Sequence, residues 1–178
     1  MPRSSVLRQH DTVVRQRSPR VGVYPGSFNP LTVAHVEIAR VARETHDLDV
    51  VRLIVSRVAL DKESPAGPTF RERIAALQTQ AETTPWLEVD TTDKQLIADI
   101  AEGYDVVIMG ADKWYQLHEE RYYDSPVARD AAVARLPTTA IAPRTGYRLP
   151  DGVALAIDER FWGVSSTLAR TTRPEFEA

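Results

Sequence analysis

Thr32 and His35 stand three residues apart, directly after the turn Pro25-Gly26-Ser27-Phe28-Asn29-Pro30. A hydroxyl and an imidazole at that spacing share one side of a first helical turn. The start of a helix also presents unpaired N–H groups and the positive end of its dipole, which suit a phosphate oxygen. Gly26 lets the backbone come close to such a ligand. Near the other end, Val164-Ser165-Ser166-Thr167-Leu168-Ala169-Arg170 repeats the device, with the Arg170 guanidinium three residues beyond the Thr167 hydroxyl. Each segment alone reads equally as ordinary punctuation: Pro-Gly and Asn-Pro are turn dipeptides, and Ser-Ser-Thr caps helices. Two such corners in one small chain point to a nucleotide held at both ends of its phosphate chain.

The surrounding segments must carry these corners to one place. Residues 20–24 read as a buried strand that delivers the chain to the first turn. The following stretch, 32–46, reads as a helix with Ala34, Ile38, Val41, Ala42 and Thr45 on its core stripe. The β-branched run 50–56 suits a strand covered on both faces. A polar loop, 57–68, leads to a helix over 70–80 with Phe70, Ile74 and Leu77 on one side. The charges from Arg71 to Arg73 read mainly as that helix's exposed face, with an inward-pointing Arg73 as the alternative. Further strands are expected at 86–90, 104–109, 138–142 and 153–157, and helices at 93–101, 111–118, 125–136 and 165–171. This alternation predicts an α/β fold: a doubly wound, mostly parallel sheet of five or six strands, with helices on both faces. Ligands of such sheets bind beyond the carboxyl ends of the strands, where strand order reverses. The loops after Tyr24, Ser56, Met109 and Ile157 fall there.

Composition narrows the class. The 178 residues fit a single domain, and the absence of cysteine excludes disulfides, thiolate metal sites and a cysteine nucleophile. No apolar run approaches a membrane span and the first residues lack an apolar leader, so a cytoplasmic protein with no membrane partner is expected. The formal charge of −3 hides an asymmetry. Arg3, Arg8, Arg15, Arg17 and Arg20 against Asp11 put +4 on the first twenty residues, which leaves −7 on the remainder. Residues 1–19 are polar and aperiodic and read as a basic, disordered tail, with the domain proper at 20–178. The acidic body argues against a nucleic-acid partner. Association with further copies of the chain is compatible with the sequence.

The motifs carry a resemblance. Gly-Ser-Phe-Asn-Pro-Leu-Thr-Val-Ala-His (26–35) resembles the G-[ST]-F-[DN]-P-x-[TH]-x-G-H signature of the nucleotidyltransferase superfamily. That group holds the nicotinate- and nicotinamide-mononucleotide adenylyltransferases, the phosphopantetheine adenylyltransferases and small cytidylyltransferases. Val-Ser-Ser-Thr-Leu-Ala-Arg (164–170) is similar to the I-S-S-T-x-I-R motif of the nicotinate/nicotinamide branch. Gly-Ala-Asp (110–112) is similar to that branch's G-x-D element, and residues 70–77 sit where it has an Arg-bearing helix. The likeness spans residues 21–171 in order. Three positions depart: Ala34 replaces the glycine before the histidine, Thr32 stands where many members have histidine, as in the pantetheine branch, and Ala169 replaces a bulkier apolar residue.

The resemblance implies a Rossmann-like fold and transfer of a nucleotidyl group from ATP to a phosphate monoester, with pyrophosphate released and Mg²⁺ carried mainly by the triphosphate. It implies backbone at Gly26, Ser27 and Phe28 against the phosphates of both small-molecule nucleotide substrates, and Thr32 and His35 on the α- and β-phosphates. Ser165, Ser166, Thr167 and Arg170 would take the β/γ end. Thr32, His35 and Arg170 are thus the expected catalytic residues. Gly110 and Asp112 would meet the ribose, Lys62 the acceptor's phosphate, and Trp114, Tyr122 or Tyr123 a pyridine ring. No protein-held metal site is expected. The nicotinate/nicotinamide mononucleotide acceptor leads. Adenylyl or cytidylyl transfer to another phosphorylated acceptor, such as phosphopantetheine, is the rival, and a nucleotide-binding protein without turnover the reading from another class.

Overall fold

The computed structural model describes residues 17–58, 68–150 and 152–166. Five strands, β1 (Val21–Pro25), β2 (Val50–Ser56), β3 (Leu87–Thr92), β4 (Val106–Gly110) and β5 (Thr138–Ala142), form one sheet in the order β3-β2-β1-β4-β5. All four pairings are parallel. The order runs backwards from β1 to β3 and forwards from β1 through β4 to β5, so the switch point lies between β1 and β4. A crevice opens there because the connections leave on opposite faces.

Helices α1 (Val33–Thr45), α2 (Phe70–Glu82), α3 (Ile97–Ile100), α4 (Ala111–Gln116) and α5 (Pro126–Ala134) connect the strands. Both faces of the sheet are covered. Val106 and Ile108 of β4 pack on one side with Ile38, Ala39 and Ala42 of α1 and Leu77 of α2. Val107 and Met109 point the other way, toward Ile100, Ala111 and Leu117. This two-residue alternation explains the unbroken apolar run of β4, for neither face meets water. Helix starts follow local chemistry: Thr69 and Glu72 cap α2 reciprocally, and Ser125 accepts the Ala128 N–H ahead of Pro126 at the first turn of α5.

Four expectations are corrected. The α1 stripe uses Ala39 and leaves Thr45 exposed at the helix end. Arg73 is not on an exposed face: it is 3% exposed. The helix expected over 93–101 shrinks to α3, because Lys94 N–H donates to the Thr92 hydroxyl and Lys94 C=O accepts from the Ser56 hydroxyl. Those side chains satisfy the backbone outside a helix. Residues 153–157 make one parallel bridge, Ile141 to Ala154, rather than a strand, since Ile157 N–H turns back onto Leu155 C=O. The helix expected over 165–171 lies almost wholly outside the described residues.

At the amino end, Arg17 forms a bidentate pair with Asp49 at 2.8 and 2.9 Å, and Arg20 N–H donates to the same carboxylate. Exposed pairs of this kind are screened by water and contribute little to stability. Deleting residues 1–19 is therefore expected to shift the melting temperature by no more than about 3 °C. A thermal melt of the truncated chain checks this, and a drop beyond about 8 °C, more than such a pair can explain, would show that the tail packs on the domain.

Candidate active site

The turn after β1 is held from beneath. Gly26 N–H donates to Ile54 C=O at 3.0 Å, and Arg73 Nη1 donates to Ser27 C=O at 3.2 Å. Phe28 adopts φ +43°, a left-handed conformation that side chains disfavour, and its ring is buried edge-on to Tyr24 at 5.4 Å. A Cβ on Gly26 would lie 2.8 Å from that ring, so the close turn requires glycine there. Burial of the ring offsets the backbone strain.

Thr32 is the N-cap of α1 and is fully buried. Its N–H donates to His35 Nδ1 at 3.0 Å, and its hydroxyl lies 2.7 Å from the same nitrogen. An amide N–H can only donate, so Nδ1 is an acceptor and the ring proton sits on Nε2. Thr32 thus stands behind His35 instead of beside it: its hydroxyl orients the imidazole. The His35 ring lies 5.1 Å edge-on from Phe28 and 6.1 Å from Tyr24. Burial, and secondarily the positive charge of Arg144, pushes its pKa down to about 3. A neutral imidazole with an Nε2–H donor lines the cleft beyond β1 and β4.

Beyond the carboxyl ends of β1 and β4 lies a cleft of about 500 Å³. Gly26, Ser27, Phe28 and His35 line one wall; Gly110 and Asp112 line the second; Ser165 and Ser166 line the third. The Ser166 hydroxyl donates to Pro30 C=O at 2.8 Å, tying segments 136 positions apart. The two corners seen in the sequence therefore converge as far as Ser166. Thr167 and Arg170 lie outside the described residues, as does Lys62.

Arg144, after β5, is a cleft residue that sequence reasoning missed, as are Lys113, Thr145, Tyr147 and Trp162. The Arg144 side chain is 13% exposed, donates from Nη1 to Val164 C=O at 2.6 Å, and places Nε 3.7 Å from Asp112. The Ala-Pro-Arg-Thr-Gly stretch reads as loop, and its only signal was a cation following a predicted strand. A Cβ on Gly110 would meet the Asp112 carboxylate and the Arg144 guanidinium, so a side chain there would displace this pair.

A second, mostly apolar cleft of about 270 Å³ adjoins the first. Leu96, Ile97, Ile100 and Leu117 line it with Tyr122 and Tyr123. Trp114 lines neither cleft: α4 turns its ring onto the β4–β5 side of the core, edge-on to His118 at 4.6 Å. Among the described residues no three His, Asp or Glu side chains gather as a metal cage, and no helix is long and apolar enough to cross a membrane.

A switch-point crevice lined by a glycine turn, a helix N-terminus and a neutral imidazole lies on a Rossmann-like, single-sheet α/β domain, the place where such folds bind their ligands. The chain belongs to the cytidylyltransferase-like family, whose profile matches residues 23–172. It is 26% identical over 168 residues to a probable nicotinate-nucleotide adenylyltransferase of Coprothermobacter proteolyticus, covering 86% of this chain and 82% of that protein. It is 36% identical over 92 residues to a phosphopantetheine adenylyltransferase of Alkaliphilus metalliredigens, covering 51% and 55%. For that second relative the chain matches about half its length. In fold it is similar to a Plasmodium falciparum nicotinic acid mononucleotide adenylyltransferase complexed with APC, with a TM-score of 0.60 at 12% identity, covering 85% and 82%.

Proposed function

We propose that the chain is an ATP-dependent adenylyltransferase that transfers an adenylyl group to the phosphate of nicotinate or nicotinamide mononucleotide. One observation carries the reading: a polar cleft suited to a triphosphate and an apolar cleft suited to a ring meet at Gly26 and Ser27. An acceptor phosphate oxygen attacks the α-phosphorus. The bond from that phosphorus to the α,β-bridging oxygen breaks, and its electron pair leaves on pyrophosphate. The nucleophile is already anionic, so no protein base is needed, and catalysis consists of alignment and charge stabilisation. His35 Nε2–H donates to the α/β-phosphate region, with Thr32 as its positioning residue. Backbone N–H groups of Ser27 and Phe28 take phosphate oxygens, Gly26, whose N–H is held by Ile54 C=O, lets the turn come close to them, and Ser165 and Ser166 border the β/γ end. Thr167 and Arg170 keep the roles their motif implies there. Asp112 is the acidic residue among those lining the polar cleft, and it faces Arg144. One paired carboxylate fits Mg²⁺ arriving on the triphosphate, where it supplies charge neutralisation. The cytoplasm, where such nucleotides are made, is the proposed setting.

The nicotinate reading is supported by the match to the Coprothermobacter relative, which covers 82% of that protein, and by a mostly apolar cleft with Tyr122 and Tyr123 in its lining. Thr32 and the pantetheine relatives favour the rival acceptor. Pyrophosphate release with MgATP across both acceptors tests the reading. Turnover with nicotinate mononucleotide supports it, and turnover with phosphopantetheine alone transfers the activity to the rival. ATP binding without release on any acceptor leaves a silent nucleotide-binding protein.

A further inference from the structure

The polar and apolar clefts share four lining residues: Pro25, Gly26, Ser27 and Lys113. Three belong to the turn after β1, and Lys113 is the charged one. We propose that Lys113 contacts both substrates, its ammonium lying between the acceptor phosphate and the α-phosphate of the nucleotide. This rests on the adenylyl-transfer reading and names the group at its reacting seam.

Two anions must approach to bonding distance at the junction, and their repulsion opposes the step. His35 is neutral, and Arg144 is engaged by Val164 C=O and Asp112 on the far side of the polar cleft. Among the described residues that line the clefts, Lys113 is therefore the cation placed at the seam. Its Nζ donates to Gln116 Oε1 at 2.6 Å, and Gln116 Nε2 donates to the Tyr122 hydroxyl at 2.7 Å. The Tyr122 contact orients the amide so that its oxygen holds the ammonium at the edge of the apolar cleft. This half-buried, neutral amide makes a weaker bond to the ammonium than the charge-assisted one a phosphate oxygen offers in exchange. The ammonium on its flexible stem can follow the transferred phosphorus as one P–O bond forms and the other breaks. Asp112, adjacent in sequence, does not neutralise it, because that carboxylate is turned toward Arg144.

Lys113→Met and Lys113→Arg in the full chain test this. Calorimetry with nicotinate mononucleotide and with its dephosphorylated riboside measures what the acceptor phosphate contributes. Pyrophosphate release with MgATP gives kcat. Wild type is expected to bind the mononucleotide at least about tenfold more tightly than the riboside, the effect of one charge-assisted phosphate contact. Lys113→Met should bring that ratio near one with riboside affinity unchanged, and should lower kcat about 10²-fold, with partial recovery in Lys113→Arg. If Lys113→Met keeps either the phosphate preference or most of its kcat, Lys113 is not at the seam, and the adenylyl-transfer reading stands. If wild type shows neither preference nor pyrophosphate release with this acceptor, phosphopantetheine and pantetheine replace the pair and decide in the same way. Failure of wild type with both pairs overturns the functional reading and this inference with it.

Discussion

His35→Ala is expected to lower kcat for pyrophosphate release by about 10²–10³-fold, the usual effect of removing one preorganised donor to a developing charge. The fold should survive, at a cost of about 1 kcal/mol for the lost acceptor at the Thr32 N–H. Circular dichroism and a urea melt separate the two effects. The pH behaviour identifies the group. Free imidazole titrates near 6.5, whereas His35 in the folded chain is held down to about 3. The unfolded chain therefore binds this proton more readily. Stability contributed by the neutral ring is complete above about pH 6.5 and is lost as pH falls toward 3, at up to ~1.4 kcal/mol per pH unit. In His35→Ala that part of the slope should vanish. Because kcat/KM reports the free enzyme, no inflection near pH 6.5 should arise from His35. A clear step there, absent from the variant, would show that His35 acts as a cation.

Arg144→Met should raise KM for MgATP about tenfold or more and lower stability by about 2 kcal/mol. The first effect comes from leaving the Asp112 carboxylate unneutralised beside the triphosphate, and the second from the loss of a charged donor to Val164 C=O. Arg144→Lys should not restore it, since a point charge cannot serve a carbonyl and a carboxylate in fixed directions. Adding Asp112→Asn to Arg144→Met should recover part of the ATP affinity, the sign of a coupled pair. The His35 resonance provides an independent readout. The Arg144 charge helps hold its pKa down, so removing it should raise that pKa while burial keeps it below 6.5. An unchanged KM for ATP in Arg144→Met would remove Arg144 from the site.

Much of this molecule was readable in one dimension because its signals are local. The strand at 50–56 and the strand at 138–142 stand where their β-branched and apolar runs predict. Both faces of a parallel sheet are covered, so a strand shows as an apolar run without help from distant residues. The glycine turn and the start of α1 are equally local, since caps and turns are made by neighbours. The weak points were segments whose state depends on partners elsewhere. Lys94 leaves the helix for Ser56 and Thr92, and residues 153–157 settle for one bridge to Ile141.

Arg73, Thr32, Trp114 and Arg144 show the same boundary at the level of side chains. A charge on an amphipathic helix reads as solvated, and nothing near Arg73 in the chain announces the Ser27 carbonyl it reaches across 46 positions. Thr32 and His35 were legible as a pair, but only burial reveals that the hydroxyl backs the imidazole. The amino-acid order alone therefore specified the parallel sheet, most of its helices and the glycine turn after β1, because these follow from periodicity and short-range hydrogen bonding. Packing alone assigned the protonation of His35, the pairing of Arg144 with Asp112 and the place of Lys113 between two clefts. Those depend on desolvation and on charges that meet only after strands β1, β4 and β5 lie side by side.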